Sequence, residues 1–291
     1  MLDFSNSKIL IVGDVMLDKY YFGKVDRISP EAPVPIVNIQ KEESRLGGAS
    51  NVANNIVSLG GHSLLCGVIG HDLFGKEIER ISRHKNIDTF LLKTSSPTIT
   101  KARIIGGKQQ IVRVDYEDKS ELNADNKKLF RDTISRILPE YDILVISDYG
   151  KGLISEDLCR YLIKLAHKYD KKVIIDPKGK NWEKYSGADI VTPNVKELSD
   201  IVGYTVPNTD RAIEKAAREA ITNNHLTALL VTRSDKGMSL IGPIPPIHIP
   251  THSEEVFDVS GAGDTVVATL GLCLAAGFEI SEAMRTANIA A

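Results

Sequence analysis

Short, continuously apolar runs rich in β-branched residues recur along the chain, separated by longer stretches with the periodicity of amphipathic helices. A strand that is apolar at every position is buried on both faces, as the central strands of parallel sheets are. The pattern therefore predicts an α/β fold with a mostly parallel central sheet and helices on both of its faces. The predicted strands are 9–12, 64–69, 143–146, 173–175, 190–191 and 228–231. The clearest helices are 51–59, 127–138 and 210–222.

Two segments depart from this alternation and predict a second, smaller sheet. The first, within about 15–40, combines aromatic and alternating apolar positions with three prolines, and proline confines a strand to an edge. The second, within about 97–115, alternates on either side of Gly106 and Gly107, as a β-hairpin does. We expect the two segments to form a small sheet inserted into the α/β domain and laid over one of its faces.

The composition is that of a globular protein and not of a disordered, collagenous or coiled-coil one. Hydrophobic residues make up 42% and charged residues 25% of the chain. The 36 Lys and Arg against 38 Asp and Glu give a net charge of -2, which argues against a protein that coats nucleic acid or a membrane surface. The cysteines Cys66, Cys159 and Cys273 lie far apart in apolar stretches, which is typical of reduced core residues in a cytoplasmic protein.

The chain shows no linker, internal repeat or low-complexity stretch that would divide it. We therefore expect one domain over residues 1–291. The last helical pattern, 283–291, has neither a glycine cap nor a following strand, and we expect the natural chain to continue beyond it.

The strongest chemical signal is DVSGAGD at 258–264, directly before an apolar helical run. Gly261 and Gly263 on either side of Ala262 allow several backbone N–H groups to point into one hollow, to which the helix adds its N-terminal donors. Such a hollow attracts phosphate. A carboxylate at Asp264 would repel that phosphate, but it is well placed to take a proton from a hydroxyl that attacks it. The alternative is an acidic N-cap residue after a glycine turn.

Two other glycine motifs compete for a phosphate. Residues 261–266 lack the third glycine of a dinucleotide fingerprint and lie near the end of the chain, which disfavours an NAD-dependent oxidoreductase. Residues 70–77 follow a predicted strand and fit a P-loop up to the last position, where Glu77 replaces the Ser or Thr that holds Mg²⁺. We interpret that segment as a structural turn.

Polar residues follow the first predicted strand in a pattern that suits a sugar. Asp14 ends the strand, Asp18 follows four residues later, and Gly47 and Gly48 precede the helix that carries Asn51. Carboxylates that face a Gly-Gly turn with an amide beside it can bind vicinal hydroxyls. A pair of capped turns would give the same pattern.

Three later strands also end in polar residues. In strand order, these are Asp148 with Lys151, Asp176 with Lys178, and Asn194 with Glu197. Any one of them could be a solvated loop charge. Their repetition at strand ends is what a binding crevice along the carboxyl edge of a parallel sheet requires.

These motifs resemble the ribokinase family of sugar kinases, and the resemblance extends over essentially the whole chain. The shared features are the Gly-Gly turn before the first long helix, the Asn-x-x-Glu motif at Asn194 and Glu197, and the terminal Gly-Ala-Gly-Asp. A closer resemblance is to the kinase domain of the D-glycero-D-manno-heptose-7-phosphate kinases, which in many bacteria precedes a heptose-1-phosphate adenylyltransferase domain. The segments that carry it are GDVMLDKYYFG (13–23), RISPEAPVPIV (27–37), PTITKARI (97–104), SDYGKG (147–152), DPKG (176–179) and LLVTRSDKGMSL (229–240).

The resemblance implies a ribokinase-like fold and the ATP-dependent phosphorylation of the C1 hydroxyl of heptose 7-phosphate. The product would be heptose 1,7-bisphosphate, on the route to ADP-heptose for lipopolysaccharide. Asp264 matches the family's catalytic base, and Gly261 to Gly263 match its anion hole. The matches to its sugar-binding positions are Asp14, Gly47, Gly48 and Asn51. The inserted strands match a lid that in many members pairs two subunits as a homodimer.

The resemblance also implies a site for ATP and Mg²⁺. Asn194 and Glu197 match the motif that manages Mg²⁺ and the ATP phosphates, and we expect Glu197 to reach the ion through water. The other positions expected on the nucleotide side are Lys178, Thr232, Ser234, Gly237 and Asp258. The family's chain continues past residue 291 with a helix and loop that help to enclose the adenine.

The phosphate that such an acceptor already carries requires cations. We expect Lys101, Arg103 and Lys151 to hold it, with Asp18 and Asp148 as further acceptor-binding residues. Solvated charges on the lid are the alternative interpretation. The remaining alternatives for the whole chain are another sugar or nucleoside kinase of the same family and a catalytically silent module that binds sugar phosphates.

Overall fold

The computed structural model describes residues 2–251 and 261–291, in which strands and helices alternate for most of the length. The strands are β1 (Lys8–Gly13), β2 (Val15–Ile28), β3 (Pro35–Gly48), β4 (His62–Gly70), β5 (Asp88–Thr94), β6 (Thr100–Gly106), β7 (Gln109–Tyr116), β8 (Ile143–Ser147), β9 (Lys172–Asp176), β10 (Ile190–Val191), β11 (Leu229–Thr232), β12 (Met238–Ile241) and β13 (Ile247–Ile249). The helices are α1 (Ala49–Ser58), α2 (Leu73–His84), α3 (Ala124–Ile137), α4 (Glu156–Lys168), α5 (Val195–Val202), α6 (Asp210–Asn224), α7 (Ala262–Ala275) and α8 (Ile280–Ala290).

The large sheet has the strand order β13-β12-β11-β10-β9-β8-β1-β4-β5. Neighbouring strands from β11 to β5 run parallel, whereas β12 and β13 are added antiparallel at one edge. Each predicted strand belongs to this sheet, so the prediction of a mostly parallel α/β fold is confirmed. The sequence pattern misses β5, β12 and β13 because these strands are short or only partly buried.

Alternate residues of the central strands pack against helices on opposite faces of the sheet. In β1, Ile9 and Ile11 are fully buried in one cluster with apolar residues of α1, α7 and α8. Leu10 and Val12 are fully buried in the other cluster, with residues of α3, α4 and α6. Successive side chains of a strand point to opposite faces, so a strand covered on both sides must be apolar throughout.

Helix α7 is apolar on nearly all sides because it lies inside the molecule. It packs against α1, α8 and the strands β1, β8 and β9, and Val266 to Cys273 are buried. A helix that is hydrophobic all round is stable only when it is enclosed in this way. The core therefore fixes the position of the first turn of α7, which carries Asp264.

The two proline-containing and hairpin segments form a small sheet of order β3-β2-β6-β7, as the sequence predicts. Pro30 and Pro33 lie in the connection between β2 and β3, and Pro35 is the first residue of β3. The predicted limit of about 40 is wrong, since β3 continues to Gly48. Its middle, residues 40–45, is charged and largely exposed, so it lacks the apolar alternation by which a strand is recognised in a sequence.

The three cysteines are free and buried, as expected of core residues. Cys66 lies in one apolar cluster with Cys159, and Cys273 lies in the other. Across residues 2–251 and 261–291, every helix is too short or too polar to cross a membrane.

Candidate active site

Parallel strands bring residues that are far apart in the sequence to one edge of the large sheet. In the register of β1, β8 and β9, Gly13 pairs with Ser147 and Ser147 with Asp176. The backbone N–H of Asp14 donates to Ser147 at 3.1 Å, and that of Asp148 donates to Asp176 at 3.0 Å. The predicted crevice of strand-end residues therefore exists as a row along this edge.

Asp264 lies in the first turn of α7, buried and directly beside α1. Its Oδ2 accepts a hydrogen bond of 2.7 Å from Nδ2 of Asn51, a residue 213 positions away in the sequence. Its Oδ1 accepts a hydrogen bond of 2.9 Å from the hydroxyl of Tyr149, which follows β8. Asp264 and Asn51, which the sequence assigns to separate motifs, thus form one cluster.

Burial raises the pKa of Asp264 above its ordinary value. The hydrogen bonds from Asn51 and Tyr149 oppose this effect, the negative charge of Asp18 adds to it, and Lys101 lowers the pKa. A carboxylate with a raised pKa is a stronger base than an exposed aspartate. The cluster is therefore able to accept a proton from a hydroxyl placed against it.

The glycines before α7 leave its N-terminus open. Gly261 is the N-cap residue with φ 87°, a left-handed conformation that favours glycine. Within residues 2–251 and 261–291, no side chain caps this helix, and a Cβ added to Gly263 would meet no atom within 4 Å. As far as the described residues go, the first backbone N–H groups of the helix are available to an anion, in a position adjacent to Asp264.

The P-loop-like segment is a filled turn, which agrees with its interpretation as structural. Oδ1 of Asp72 accepts from the backbone N–H of Gly75 at 2.8 Å and from the hydroxyl of Thr98 at 2.7 Å. Its Oδ2 accepts from the backbone N–H of Thr98 at 2.8 Å. A carboxylate occupies the N-terminus of α2, which leaves no place for a phosphate.

The acceptor side of the crevice is built around Asp14 and the Gly-Gly pair. Oδ2 of the buried Asp14 accepts from the backbone N–H groups of Tyr149 at 2.8 Å and Lys151 at 3.1 Å. Burial and the nearby charge of Asp148 raise the pKa of Asp14 to about 6. A Cβ on Gly48, which has φ 56°, would lie 2.5 Å from the backbone oxygen of Asp14, so only glycine fits there.

Gly47 is required for a second close approach. A Cβ at this position would lie 2.3 Å from Oδ2 of Asp18. The pair of glycines therefore lets the end of β3 pass beside both acidic residues, which explains why the two motifs occur together.

The predicted cations Lys101 and Arg103 lie on alternate positions of β6, opposite Asp18 and Tyr20 of β2. Arg103 donates to Oδ1 of Asp18 at 2.6 Å. Burial lowers the pKa of Lys101, the charge of Asp18 opposes this, and the neighbouring cations Lys151, Arg113 and Arg103 lower it further. The small sheet thus concentrates positive charge beside the crevice.

Lys151 is the third predicted cation, and it reaches the same region from the loop after β8. Its ammonium group pairs with Glu117 next to the small sheet. The structure therefore brings Lys101 and Lys151 within electrostatic range of each other, although Arg103 and Lys151 already have acidic partners.

The residues assigned to the nucleotide lie around the ends of β10 and β11. Asn194 caps α5: its Oδ1 accepts from the backbone N–H of Glu197 at 2.9 Å, and Oε2 of Glu197 accepts from that of Asn194 at 3.1 Å. Lys178 donates to Oε1 of Glu197 at 2.7 Å. Thr232 forms a β-bridge with Asn194.

A tight loop follows β11. Ser234 and Gly237 both adopt positive φ, and a Cβ on Gly237 would lie 2.0 Å from the backbone oxygen of Ile249. This loop connects β11 to β12 directly after Thr232. Asp258 lies outside the described residues.

Asp148 differs from the other strand-end residues because its carboxylate faces the protein. Oδ1 accepts from the backbone N–H of Gly150 at 2.8 Å, and Oδ2 accepts from the hydroxyl of Tyr185 at 2.6 Å and pairs with Lys184. Only 2% of Asp148 is exposed. This carboxylate supports the loop after β8, and the structure does not bring it to Asp264.

Tyr149 has no role in the sequence interpretation, and Asp176 appears there only as one of the strand-end residues, without a role in binding or catalysis. Asp176 ends β9, and burial together with the charges of Asp264 and Glu197 raises its pKa well above the ordinary value. The sequence signal for Asp176 is its position at the end of a buried strand. The signal for Tyr149 was weaker, since a tyrosine in a loop is equally typical of packing.

A metal ion at this edge would have few protein ligands. Among residues 2–251 and 261–291, His, Cys, Asp and Glu side chains do not gather in threes at distances suited to a metal. Asp176 and Glu197 lie within electrostatic range of each other, and the charges of Asp264 and Glu197 both raise the pKa of Asp176. Mg²⁺ commonly takes one or two carboxylates and completes its shell with water and phosphate oxygens, so this donor set fits it.

Comparisons with known proteins identify the family of this chain. The pfkB family carbohydrate kinase profile matches residues 6–291. The bifunctional protein HldE of Haemophilus influenzae (strain PittEE) is 45% identical over 291 residues, which is 99% of this chain and 60% of that protein. The HldE protein of Vibrio vulnificus is also 45% identical with the same coverage. The chain thus spans about 60% of the length of these relatives.

Solved structures share the fold. Phosphofructokinase-2 from Escherichia coli superposes with a TM-score of 0.79 at 21% identity, covering 96% of this chain and 90% of that one. Arabidopsis thaliana ribokinase, complexed with ribose and ATP, gives 0.74 at 20% identity, covering 97% and 90%. The fold is therefore ribokinase-like, and with the profile match and the HldE relatives it establishes that this chain belongs to the pfkB family of carbohydrate kinases.

Proposed function

We propose that this sugar kinase transfers the γ-phosphoryl group of ATP to the C1 hydroxyl of D-glycero-D-manno-heptose 7-phosphate and releases heptose 1,7-bisphosphate and ADP. The observation that carries the proposal is the buried Asp264, held by Asn51 and Tyr149 beside an open helix N-terminus. The heptose motifs of the sequence and the 45% identity to HldE proteins support the choice of acceptor. The product would enter ADP-heptose and lipopolysaccharide synthesis.

The chain's own residues perform the transfer by position and charge. Asp264 accepts the proton of the C1 hydroxyl while the oxygen of that hydroxyl attacks the γ-phosphorus. The bond between the γ-phosphorus and the β-phosphate oxygen breaks, and ADP leaves. The backbone N–H groups of Gly261, Ala262 and Gly263 hold the charge of the transferred group. Holding two substrates in line contributes about 7–11 kcal/mol to lowering the barrier, which exceeds the contribution of the base alone.

ATP lies along the ends of β10 and β11 in this proposal. Thr232, Ser234 and Gly237 line the nucleotide, Asn194 and Lys178 face its phosphates, and the chain beyond residue 291 encloses the adenine. Mg²⁺, when bound with ATP, would offset phosphate charge. Asp176 and Glu197 are the residues that would hold it, and the raised pKa of Asp176 supports this, because a nearby cation stabilises its charged form.

The acceptor lies between Asp14, Asp18, the Gly-Gly pair and the small sheet. Asp14 and Asp18 bind ring hydroxyls, and Asn51 holds both the base and the sugar. Lys101 is the main ligand of the 7-phosphate, with Arg103 and Lys151 in support. Burial is the main cause of the lowered pKa of Lys101, and the cations Lys151, Arg113 and Arg103 lower it further. The same cations favour an incoming anion, which supports this role. The small sheet then acts as a lid that excludes water.

A second copy of the chain and a second catalytic domain complete the proposal. Apolar side chains on or beside the small sheet are exposed: Val25, Ile28, Val34, Val112 and Val114. They support a homodimer through the lid, which light scattering would detect as twice the mass of one chain. The greater length of the HldE relatives supports an adenylyltransferase domain in the natural protein.

The decisive test is an activity assay with a panel of acceptors. Heptose 7-phosphate, fructose 6-phosphate, ribose and adenosine are offered with ATP and Mg²⁺, and ³¹P NMR identifies the position of the new phosphate. We expect transfer to C1 of heptose 7-phosphate, with at least about a hundredfold preference over the other acceptors. Transfer to another acceptor alone would leave a sugar kinase with the wrong substrate assignment.

The Lys101→Ala variant tests the phosphate ligand in the same assay. We expect KM for the sugar phosphate to rise about tenfold or more, because a charge-assisted contact is lost, and KM for ATP to stay within about twofold. Lys108→Ala, in the turn between β6 and β7, is the matched control. Equal small effects of both variants on both substrates would contradict the assignment of Lys101.

A further inference from the structure

Tyr149 contacts three parts of the candidate site, although no role has been assigned to it. Its hydroxyl donates to Oδ1 of Asp264 at 2.9 Å, and its backbone N–H donates to Oδ2 of Asp14 at 2.8 Å. The ammonium group of Lys101 lies 5.8 Å from the centre of its ring. One residue in the loop after β8 therefore joins the base, the acceptor-binding carboxylate and the small sheet.

We propose that Tyr149 is a positioning residue for phosphoryl transfer, whose hydroxyl holds the carboxylate of Asp264 in the orientation and the ionised form that can take the acceptor's proton. The inference rests on the proposed function, in which Asp264 is the base.

Two donors on separate elements fix the plane of the carboxylate. Asn51 on α1 holds Oδ2, and Tyr149 after β8 holds Oδ1. A carboxylate with a donor on each oxygen cannot turn about its Cβ–Cγ bond without breaking one contact. Each oxygen still has a second lone pair, so the acceptor hydroxyl can donate to it without displacing either partner.

Tyr149 remains a donor throughout the pH range in which Asp264 titrates. Burial and the negative charges of Asp264 and Asp176 raise the pKa of Tyr149 far above its ordinary value. An ionised tyrosine beside Asp264 is thus excluded, and the hydroxyl proton points at the carboxylate.

The charges around Asp264 mean that the hydrogen bond from Tyr149 affects the protonation state of this carboxyl group. The negative charge of Asp18 on the small sheet raises the pKa of Asp264, and the positive charge of Lys101 lowers it. The charge of Asp264 in turn raises the pKa of Asp176 at the end of β9. Burial and the acidic neighbours favour the protonated carboxyl, which cannot act as a base. The donors Asn51 and Tyr149 shift the balance toward the carboxylate.

The Tyr149→Phe variant isolates the hydroxyl, since it keeps the ring and the backbone N–H that donates to Asp14. Activity is lost as the pH falls through the pKa of the base. Loss of a donor to the charged form raises that pKa, so we expect the acid limb of the kcat profile to move up by about half to one pH unit. We also expect the plateau of kcat to fall about tenfold or more, because the carboxylate is free to turn, with KM for ATP within about twofold.

Tyr161→Phe is the matched control, because this tyrosine is partly buried and donates at 3.4 Å to a backbone oxygen of Arg131, away from the candidate site. We expect the control to leave the pH profile and kcat unchanged. Calorimetry of both variants reports any loss of fold stability.

A measurement without substrates separates this inference from the proposed function. Carboxyl ¹³C NMR of the wild type and of Y149F follows the titration of Asp264, whose signal is identified by its absence in D264N. We expect the midpoint of Asp264 to be higher in Y149F by the same half to one pH unit. Such a shift in a chain that phosphorylates none of the acceptors would support the contact and refute the proposed function.

Two results would overturn the inference. An unmoved midpoint in NMR and kinetics, with kcat within about twofold of the wild type, would show that the hydroxyl is dispensable. A lower kcat with an unmoved midpoint and a lower unfolding temperature would show that Tyr149 only supports the fold.

Discussion

The turns before α2 and α7 both contain glycine and follow the same rule of helix electrostatics, yet the first is filled and the second is open as far as residues 2–251 and 261–291 are concerned. At α2, the carboxylate of Asp72 sits on the helix N-terminus and accepts three hydrogen bonds. At α7, Gly261 occupies the N-cap position, and the acidic residue Asp264 is the third residue of the helix, held by Asn51 and Tyr149. The same residue types therefore make a structural cap in one place and a reactive group in the other.

The difference extends to the protonation of the two carboxyl groups. Burial alone would raise the pKa of Asp72, but the hydrogen bonds from Thr98 and Gly75 outweigh it and the pKa is lowered. Burial of Asp264 is only partly offset by its hydrogen bonds, so its pKa is raised. A carboxylate whose hydrogen bonds outweigh its burial is a poor base, whereas one whose burial outweighs its hydrogen bonds keeps its affinity for a proton.

Replacing Asp264 by Asn gives the largest effect expected from this comparison. We expect kcat to fall at least about a hundredfold with ATP binding retained, since a general base contributes about 10²–10⁴ to the rate. The hydroxyl of Tyr149 can accept as well as donate, so the variant keeps its contacts. Single-turnover kinetics and ATP titration by calorimetry measure the two quantities, and near-normal turnover would mean that another group takes the proton.

Substitution of a glycine near each helix N-terminus gives the next largest effect. We expect one substitution to change activity and the other to change stability. The Cβ of Gly263→Ala would project into the open N-terminus without meeting the described protein, so we expect about tenfold weaker ATP binding or slower transfer at unchanged stability. The Cβ of Gly75→Ala would lie 2.6 Å from the backbone oxygen of Gly70, so we expect a lower unfolding temperature. If G263A destabilised the fold and G75A slowed transfer, the assignment of open and filled turns would be reversed.

Removal of the cap at α2 gives the smallest effect. We expect Asp72→Ala to lower the free energy of unfolding by roughly 0.5–2 kcal/mol at pH 7, with kcat unchanged. Hydrogen bonds from Thr98 and Gly75 outweigh burial and hold the folded-state pKa of Asp72 below the ordinary value of an aspartate. Its contribution is therefore fully present above that value and is lost as the pH falls through the folded pKa.

The opposite sign holds for Asp264→Asn, and it provides a control by denaturation at several pH values. A carboxyl with a raised pKa destabilises the folded state as the pH rises through its titration, so the variant should gain stability relative to the wild type from acidic to neutral pH. A stability difference that does not change with pH would contradict the raised pKa.

Periodicity and motif spacing predict the parallel sheet and the small sheet, because burial on two faces and glycine turns leave direct traces in a sequence. They place Asp264 and Asn51 in separate motifs and do not predict the hydrogen bond between them. They do not predict the inward turn of Asp148, since a residue just after a strand can face the crevice or the protein with the same local pattern. The contact between Tyr149 and Asp264 joins positions 115 residues apart and depends on how a loop folds over the sheet edge. No local pattern records such a contact.

The small sheet is tied to the body of the molecule at four places in the described chain: between β1 and β2, β3 and α1, β5 and β6, and β7 and α3. A sheet attached by four connecting segments cannot rotate as a rigid body about a single hinge. Any movement of the small sheet must also move these segments. Asp14 is the single residue between β1 and β2, and Gly48 ends β3 directly before α1. Movement of the small sheet would thus displace Asp14 and Gly48, which belong to the proposed acceptor site. Binding of the acceptor and exclusion of water would then be coupled to each other.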